Sequence, residues 1–208
     1  MIPKRKADAQ KGDFGRLLCI TGSRNMPGAC LLSTQAALRG GAGLVTVATA
    51  PENPMRLAAA APEAMWLPLE TDEAGFLRSS DQNRKTLEKQ LSRANAVLLG
   101  CGLGVTEETR RLVHWVLEQA VCPVVLDADG LNCAVSCIEL SRRTGKDWIL
   151  TPHPGEMARL TGRSIPQIQE NRVETATQFA AAYPVTLALK GAGTLVAQGS
   201  RLAQNPTG

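Results

Sequence analysis

Three short polar clusters in the second half of the chain combine residue types that bind or activate oxygen-rich ligands. They are residues 127–132 (Asp-Ala-Asp-Gly-Leu-Asn), 151–156 (Thr-Pro-His-Pro-Gly-Glu) and 190–194 (Lys-Gly-Ala-Gly-Thr). Carboxylates suit Mg²⁺ or hydroxyl groups, and a lysine beside glycines and a threonine suits the phosphates of a nucleotide. The composition of the clusters therefore predicts a site for a phosphorylated ligand.

Each cluster also has a structural interpretation, which the sequence leaves open. Asp127 and Asn132 belong to residue types that favour caps and turns. Glu156 falls in the first turn of a predicted helix, where a carboxylate stabilises the helix dipole. Lys190 and the glycines after it are equally typical of a β-hairpin turn with a surface lysine.

The chain has two histidines, and their settings differ. His153 lies between two prolines, which stiffen the loop and aim the imidazole, so we expect a binding or catalytic role for it. His114 lies inside a predicted helix beside Trp115, where a structural role is expected.

A fourth cluster, residues 100–104 (Gly-Cys-Gly-Leu-Gly), follows an apolar run. Its glycines either let backbone amides approach a phosphate or make a tight strand–helix turn. It is not a complete dinucleotide-binding fingerprint, and residues 190–194 are not a Walker A loop, since no GxxxxGK[ST] pattern precedes a helix there.

The elements that position these clusters alternate between strands and helices. Apolar, β-branched runs predict strands at 16–21, 44–49, 65–67, 96–99, 123–126, 148–150, 185–189 and 194–197. Helices are predicted at 29–39, 83–93, 107–119 with Thr106 as N-cap, from about 129, at 154–160 and as one helix over 165–182, with a short helix at 58–61.

This alternation predicts an α/β fold with three α/β/α layers and a mostly parallel central sheet. The polar and glycine clusters, with Gly22-Ser23 as a fifth, all follow predicted strands. Because ligands of such sheets bind at the carboxyl ends of the strands, we expect the five clusters at one edge.

The composition argues against several other classes of protein. The net charge of +4 is concentrated at the N-terminus, where Lys4, Arg5, Lys6 and Lys11 suggest a basic arm over residues 1–14 before a domain at 15–208. No basic helix or aromatic stacking motif accompanies this charge, so no nucleic-acid partner is expected. The six cysteines form no CxxC pair and no apolar run is long enough for a membrane span, which predicts no membrane partner and a reduced, cytoplasmic protein.

Taken together and in order, the motifs resemble those of the ADP- or ATP-dependent NAD(P)H-hydrate dehydratases, a branch of the ribokinase-like fold. The most specific pair is residues 151–156 followed by 190–194. The resemblance extends from about Gly15 to Gly208, and Cys101 stands where the family usually has proline. Other matching motifs lie at residues 22–23, 26–29, 39–46, 100–104, 127–132 and 205–208.

The resemblance implies a repair reaction in which hydrated NADH or NADPH is dehydrated back to NAD(P)H with ADP or ATP as co-substrate and Mg²⁺ on the nucleotide phosphates. The resemblance also implies a homo-oligomer, commonly a tetramer. The residues that would bind the hydrated dinucleotide are Ala42, Gly102, Gly104, Asp127, Asn132, His153 and Glu156. Those that would bind the nucleotide are Lys190, Gly191, Ala192, Gly193, Thr194 and Asn205.

The family's catalytic aspartate is expected in a glycine-rich loop after residues 205–208, so the sequence predicts a domain without its C-terminal part and assigns no catalytic residue. We therefore also expect an exposed apolar sheet surface that aggregates or is buried in an oligomer. Two alternatives stay open: a ribokinase-like kinase of a small alcohol, such as a vitamin or sugar, and a nucleotide-binding module without catalysis.

Overall fold

A computed structural model describes residues 7–144 and 147–207 of the chain. The strands are β1 Arg16–Ile20, β2 Leu44–Thr49, β3 Met65–Pro68, β4 Ala96–Leu99, β5 Val124–Leu126, β6 Trp148–Leu150, β7 Val185–Leu189, β8 Thr194–Gln198 and β9 Arg201–Asn205. The α-helices are α1 Pro27–Arg39, α2 Asn53–Leu57, α3 Asp81–Leu91, α4 Glu107–Gln119, α5 Asp129–Ala134, α6 Leu140–Thr144, α7 Pro154–Thr161, α8 Ile165–Glu170 and α9 Arg172–Ala182. None of these helices is long and apolar enough to cross a bilayer.

All the strands belong to one sheet, in the order β3-β2-β1-β4-β5-β6-β7-β8-β9. The seven strands from β3 to β7 are parallel to one another, and β8 and β9 are antiparallel additions at one end. The chain runs outward from β1 to β3 and then returns to place β4 on the other side of β1. The strand order therefore reverses between β1 and β4, and such a switch point is where α/β sheets form a ligand crevice.

Helices cover the two faces of the sheet unequally. One face is buried under the helices from α3 to α9, and its core includes Leu18, Leu99, Leu126 and Trp148. The opposite face carries α1 and α2 over β1 to β3, with a smaller core around Cys19 and Val47. The predicted three-layer α/β/α fold is confirmed, with its second helical layer covering only part of the sheet.

The second face of β5 to β8 carries no helix in the described part of the chain. Val125 and Ile149 lie in register on this face, next to Leu98 of β4, and none of the three is fully buried. Val196 of β8 is 38% exposed. We refer to the surface formed by Leu98, Val125, Ile149 and Val196 as the open face.

We expect the open face to cause self-association, because burying apolar surface is favourable by about 25 cal/mol per Å². The double variant Val125→Thr/Val196→Thr keeps the side-chain shape but adds hydroxyls, so it should shift the size distribution toward monomer in light scattering after gel filtration. Val121→Thr is the matched control, since Val121 is 68% exposed and lies before β5, off the sheet. An unchanged distribution in the double variant, or an equal shift in the control, would contradict this role of the open face.

The structure corrects three of the predicted elements. The predicted helix at 165–182 is two helices, because Asn171 leaves helical geometry (φ −127°, ψ 44°), as asparagine does readily. The short helix expected at 58–61 is a 3₁₀ helix, Ala58–Ala60, and it follows directly on the unpredicted α2, which starts at Asn53 because Pro54 favours the first turn of a helix. The strand β9 was not predicted; Gly199, at φ +55°, turns the chain back after β8.

The predicted boundary between a basic arm and the domain stays a prediction. Residues 1–6 lie outside the described part of the chain. Lys11–Phe14 form a 3₁₀ helix whose end is bonded to the domain, since the amide of Gly43 donates to the carbonyl of Phe14 over 3.1 Å.

Candidate active site at the carboxyl edge of the sheet

The five clusters lie where the parallel strands end. Gly22-Ser23 follows β1, residues 100–104 follow β4, residues 127–132 follow β5, residues 151–156 follow β6 and residues 190–194 follow β7. The first two loops are joined by backbone hydrogen bonds from Gly22 to Cys101 and from Ser23 to Gly102. The expectation that all five clusters share one edge of the sheet is confirmed.

Lys190 is the centre of the site. Its Nζ lies 2.7 Å from Oδ1 of Asp127 and 3.8 Å from Oε2 of Glu156. It belongs to the hairpin between β7 and β8, as one of its two interpretations predicted, but its ammonium points back along the sheet edge toward β5 and α7. Its side chain is 40% exposed, so the ammonium remains open to a ligand while it pairs with the two carboxylates.

Asp127 is held ionised by its neighbours. Thr151 donates its hydroxyl to Oδ1 over 2.7 Å, and the thiol of Cys101 lies 3.5 Å from Oδ2. Partial burial opposes ionisation, but the hydrogen bonds from Lys190 and Thr151 and the charge of Lys190 outweigh it, so the pKa of Asp127 is lowered. The pKa of the Cys101 thiol is instead raised, to about 12, by burial and by the charge of Asp127.

Glu156 is the buried acid of the site, with only 4% of its surface exposed. Its Oε2 accepts a hydrogen bond from the backbone amide of His153 over 2.8 Å, and this bond is one half of a capping box at the start of α7. The helix-stabilising interpretation is therefore correct, and the contact with Lys190 gives the same carboxylate a second role.

His153 supplies the other half of the capping box. Its Nδ1 accepts hydrogen bonds from the amides of Gly155 and Glu156 over 2.9 and 3.3 Å. A neutral His153 therefore carries its proton on Nε2, which lies 3.4 Å from Oε1 of Glu156. The side chain is 51% exposed, so the Nε2 edge of the ring is accessible to a ligand.

The residues after Lys190 form the outer part of the site. Thr194 and Asn205 are register partners at the edge where β8 begins and β9 ends, so both lie near the β7–β8 turn. The amide oxygen of Asn205 accepts from the backbone and hydroxyl of Thr207, whereas Gly208 lies outside the described residues. Gly191, Ala192 and Gly193 make the turn itself, between β7 and β8.

Two predicted glycine contacts have a structural explanation. Gly104 has φ +76°, and a Cβ there would lie 2.2 Å from the ring of Phe76. Its amide already donates to Oδ2 of Asp129 over 2.8 Å. Gly102 packs on Ala29 of α1. Ligand contacts at Gly102 and Gly104 stay predictions.

Two further predicted residues lie apart from the Lys190 cluster. Ala42 precedes β2 and donates its amide to Ala37 at the amino end of the sheet, whereas Lys190 is at the carboxyl end. The amide oxygen of Asn132 accepts from Arg159 over 3.0 Å, and so binds α5 to α7. Their predicted contacts with a dinucleotide are untested.

Arg172 was missed by the sequence analysis, which placed it in the interior of a long helix. It is the first residue of α9, and its guanidinium donates to the carbonyls of Leu189 and Lys190 over 3.1 and 3.3 Å. It thereby fixes the backbone of the turn that carries Lys190. The break in helical geometry at Asn171 is what places Arg172 at a helix start.

The hydrogen bond from Thr151 to Asp127 predicts that Thr151 contributes to stability in a pH-dependent way. Because the pKa of Asp127 is lowered in the folded protein, its ionised form adds stability above its unfolded pKa, and this is lost as pH falls through the folded pKa. Thr151→Val removes one hydrogen bond to the carboxylate and should lower the free energy of unfolding at neutral pH by about 1 kcal/mol. The deficit should shrink in acid, where Asp127 is protonated, as measured by urea unfolding at several pH values.

Thr186→Val is the matched control for Thr151→Val. Thr186 lies on the open side of β7 and its hydroxyl makes no hydrogen bond within the described residues. A deficit in Thr151→Val that stays constant with pH would contradict the coupling to Asp127.

Comparisons with known proteins identify the relatives of this chain. The profile of a family described as NAD(P)H-hydrate dehydratase matches residues 17–208. A bifunctional NAD(P)H-hydrate repair enzyme Nnr from Coxiella burnetii is 39% identical over 94% of this chain and 37% of its own length. The ADP-dependent (S)-NAD(P)H-hydrate dehydratase of Bacillus subtilis is 34% identical over 94% of this chain and 65% of its own length.

Solved structures give the same result. The ADP/ATP-dependent NAD(P)H-hydrate dehydratase of Bacillus subtilis, co-crystallised with ATP and Mg²⁺, has a TM-score of 0.78 and 32% identity, covering all of this chain and 69% of that one. A ribokinase-like superfamily protein from Enterococcus faecalis has a TM-score of 0.81 and 26% identity, covering 98% of this chain and 67% of that one. The chain thus spans between a third and two thirds of the length of the curated relatives named above. On the family profile and the identities together, this chain belongs to the NAD(P)H-hydrate dehydratase family, with a ribokinase-like fold.

Proposed function

We propose that this chain acts in the repair of hydrated NADH and NADPH, by nucleotide-dependent dehydration of NAD(P)H hydrate to NAD(P)H. The observation that carries the proposal is the placement of Lys190 beside Asp127 and Glu156 at the edge where the sheet's ligand loops converge. The relatives, which include ADP-dependent and ADP/ATP-dependent dehydratases, support the choice of substrate and co-substrate.

In this proposal the Lys190 turn binds the nucleotide. The ammonium of Lys190 supplies the positive charge for the phosphates, and Thr194 and Asn205 lie at the same edge for further contacts. Arg172 keeps the turn in place through the carbonyls of Leu189 and Lys190. Gly191, Ala192 and Gly193 leave the backbone of the turn accessible.

The residues present fit a magnesium ion as well. Asp127 and Glu156 offer two carboxylates within 4 Å of the same ammonium, and Mg²⁺ in nucleotide sites binds one or two carboxylates together with phosphate oxygens and water. Bound there, the ion would neutralise charge on the nucleotide phosphates.

The hydrated dinucleotide would lie beside the nucleotide site around Lys190. His153 presents its Nε2 edge next to Glu156 and is the side chain best placed to donate a hydrogen bond to it. Hydroxyl groups of the substrate would contact the loop that contains Gly102 and Gly104, and Asn132 of α5. We further propose cytoplasmic location and assembly into a homo-oligomer, the tetramer being the expected form, in which the open face is covered.

The test measures binding and turnover separately on the same chain. Hydrated NADH is incubated with Mg²⁺ and either ADP or ATP, and the return of NADH absorbance is followed, while nucleotide affinity is measured by calorimetry. Nucleotide-dependent recovery of NADH would support the proposal. Tight nucleotide binding with no recovery, both in this chain and in the chain extended with a family C-terminal segment, would contradict it in favour of a module without catalysis, and phosphorylation of a small alcohol would favour a kinase.

A further inference from the structure

A cavity lies on the helix-covered face of the sheet, near the amino ends of β1 and β2. It has a volume of about 290 Å³. Leu18, Leu44 and Leu67 of β1, β2 and β3 are among its lining residues, and the C-terminal part of α3 and the residues after it form its wall. Its lining therefore combines apolar side chains of three strands with polar groups, and its size is near the lower end of the range for small-molecule sites in proteins.

The cavity is separate from the Lys190 site. Arg16 and Leu44, which line it, begin β1 and β2, whereas every cluster of the proposed active site follows the end of a strand. A strand of five residues separates the two edges by roughly 16 Å. A ligand here is thus independent of the proposed repair activity.

Two arginines give the cavity its charge. Arg16 and Arg93 both line it, and neither guanidinium forms an ion pair or hydrogen bond with another residue in 7–144 or 147–207. Asn95, two residues after Arg93, is bonded to Arg16: its amide donates to the carbonyl of Arg16 and its side-chain oxygen accepts the amide of Arg16, both over 2.8 Å. Two unpaired cations at one cavity repel each other, and an anion between them removes that repulsion.

Neutral polar groups add to the same wall. Thr46 and Gln90 line the cavity, and their side chains likewise have no hydrogen-bond partner among the described residues. Two arginines elsewhere in the fold are engaged, since Arg24 pairs with Glu52 and Arg142 pairs with Glu139. The cavity thus brings several unpartnered donors together beside the apolar side chains of three strands.

We propose that this cavity binds a small amphiphilic anion, with a carboxylate or phosphate head held by Arg16 and Arg93 and an apolar body resting on Leu18, Leu44 and Leu67. Arginine suits such a head because its planar fork donates two parallel hydrogen bonds. At the ~30 Å³ that a water molecule occupies, the cavity holds roughly ten non-hydrogen atoms, which corresponds to a medium-chain acid.

The test uses octanoate, octyl phosphate and octanol as probes, with binding followed by backbone amide NMR and calorimetry. Octanoate or octyl phosphate should shift the amides of Leu18, Thr46 and Leu67, and Arg16→Gln and Arg93→Gln should each weaken the binding roughly tenfold. The tighter of the two anions identifies the head group. Ala94→Phe, which places a ring in the cavity wall, should abolish the shifts.

Arg201→Gln is the matched control, since Arg201 is an exposed arginine on β9 at the far end of the sheet. It changes the net charge equally and should leave the affinity unaltered. Equal binding of octanol and octanoate, equal weakening by all three arginine variants, or no shift with any probe would each overturn the proposal. Circular dichroism confirms that the variants are folded before they are compared.

Discussion

Replacing Lys190 by methionine is expected to lower the affinity for ADP or ATP by roughly 10- to 100-fold, because a hydrogen bond to a charged group contributes about 1.5–3 kcal/mol. The ammonium is the cation shared by Asp127 and Glu156 at the site. Its loss removes the proposed phosphate ligand and also leaves two carboxylates whose negative charge repels the nucleotide. Calorimetric titration with ADP and Mg²⁺ measures the change.

Lys85→Met is the control for this experiment. Lys85 is exposed on α3, so the substitution removes the same charge from the opposite part of the sheet without touching the site. The site lysine should also change the protein without nucleotide: in Lys190→Met the pKa of Asp127 should rise, because burial is then opposed only by the remaining hydrogen bonds. Carboxyl NMR follows that rise directly.

The cost of Lys190→Met in stability should be much smaller than its cost in binding. The ion pair with Asp127 is partly open to solvent, with exposures of 40% and 28%, so its contribution is about 1 kcal/mol or less. Unchanged nucleotide affinity in a folded Lys190→Met protein would show that the ammonium of Lys190 does not bind the nucleotide, and would contradict the proposed function. Equal losses in Lys85→Met would show that only the net charge matters.

The order and type of most elements could be predicted from the sequence because apolar periodicity and turn residues carry that information locally. The strands of the parallel sheet are short buried runs, and the capping threonine Thr106 marks the start of α4 as its type suggests. Errors arose where local signals were ambiguous. No helix was predicted before residue 58, although Pro54 opens α2, and Asn171 gave no strong sign that it would end one helix before another.

The site was predicted less completely, because its geometry depends on contacts between residues distant in sequence. Lys190 and Asp127 were both selected, but only the strand order brings residues 63 positions apart within 2.7 Å. Arg172 had no local signature at all, since its role is to hold the carbonyls of a turn formed by later residues. Thr151 was part of a recognised motif, and its partner Asp127 could be identified only in three dimensions.

Gly100 has a structural reason to be glycine. The sequence analysis left its loop open between a phosphate contact and a tight strand–helix turn. In the structure it lies against the loop after β5: a Cβ on Gly100 would come within 2.0 Å of the carbonyl of Asp127 and 2.6 Å of Cα of Gly130. Gly130 in turn faces the backbone of Leu99 and Gly100. Gly100 and Gly130 must both be glycine because the backbones of the loops after β4 and β5 are in direct contact.

Gly100→Ala is accordingly expected to destabilise the protein by about 3–5 kcal/mol, through overpacking added to backbone strain. The strain arises because Gly100 has φ +131°, and the overpacking because the obstructing atoms are backbone and cannot rotate away. The carbonyl that must move belongs to Asp127, so the substitution should also displace the carboxylate that Lys190 pairs with. Urea unfolding measures the first effect and nucleotide affinity the second.

Gly162→Ala separates the two contributions to the cost of Gly100→Ala. Gly162 ends α7 with φ +70°, and a Cβ there would meet no atom within 4 Å, so the substitution adds backbone strain alone and should cost about 1 kcal/mol. The excess loss in Gly100→Ala then reports the backbone contact between the loops after β4 and β5. Equal losses in the two variants would mean that this contact relaxes freely, and the placement of Asp127 would have to depend on Thr151 and Lys190 instead.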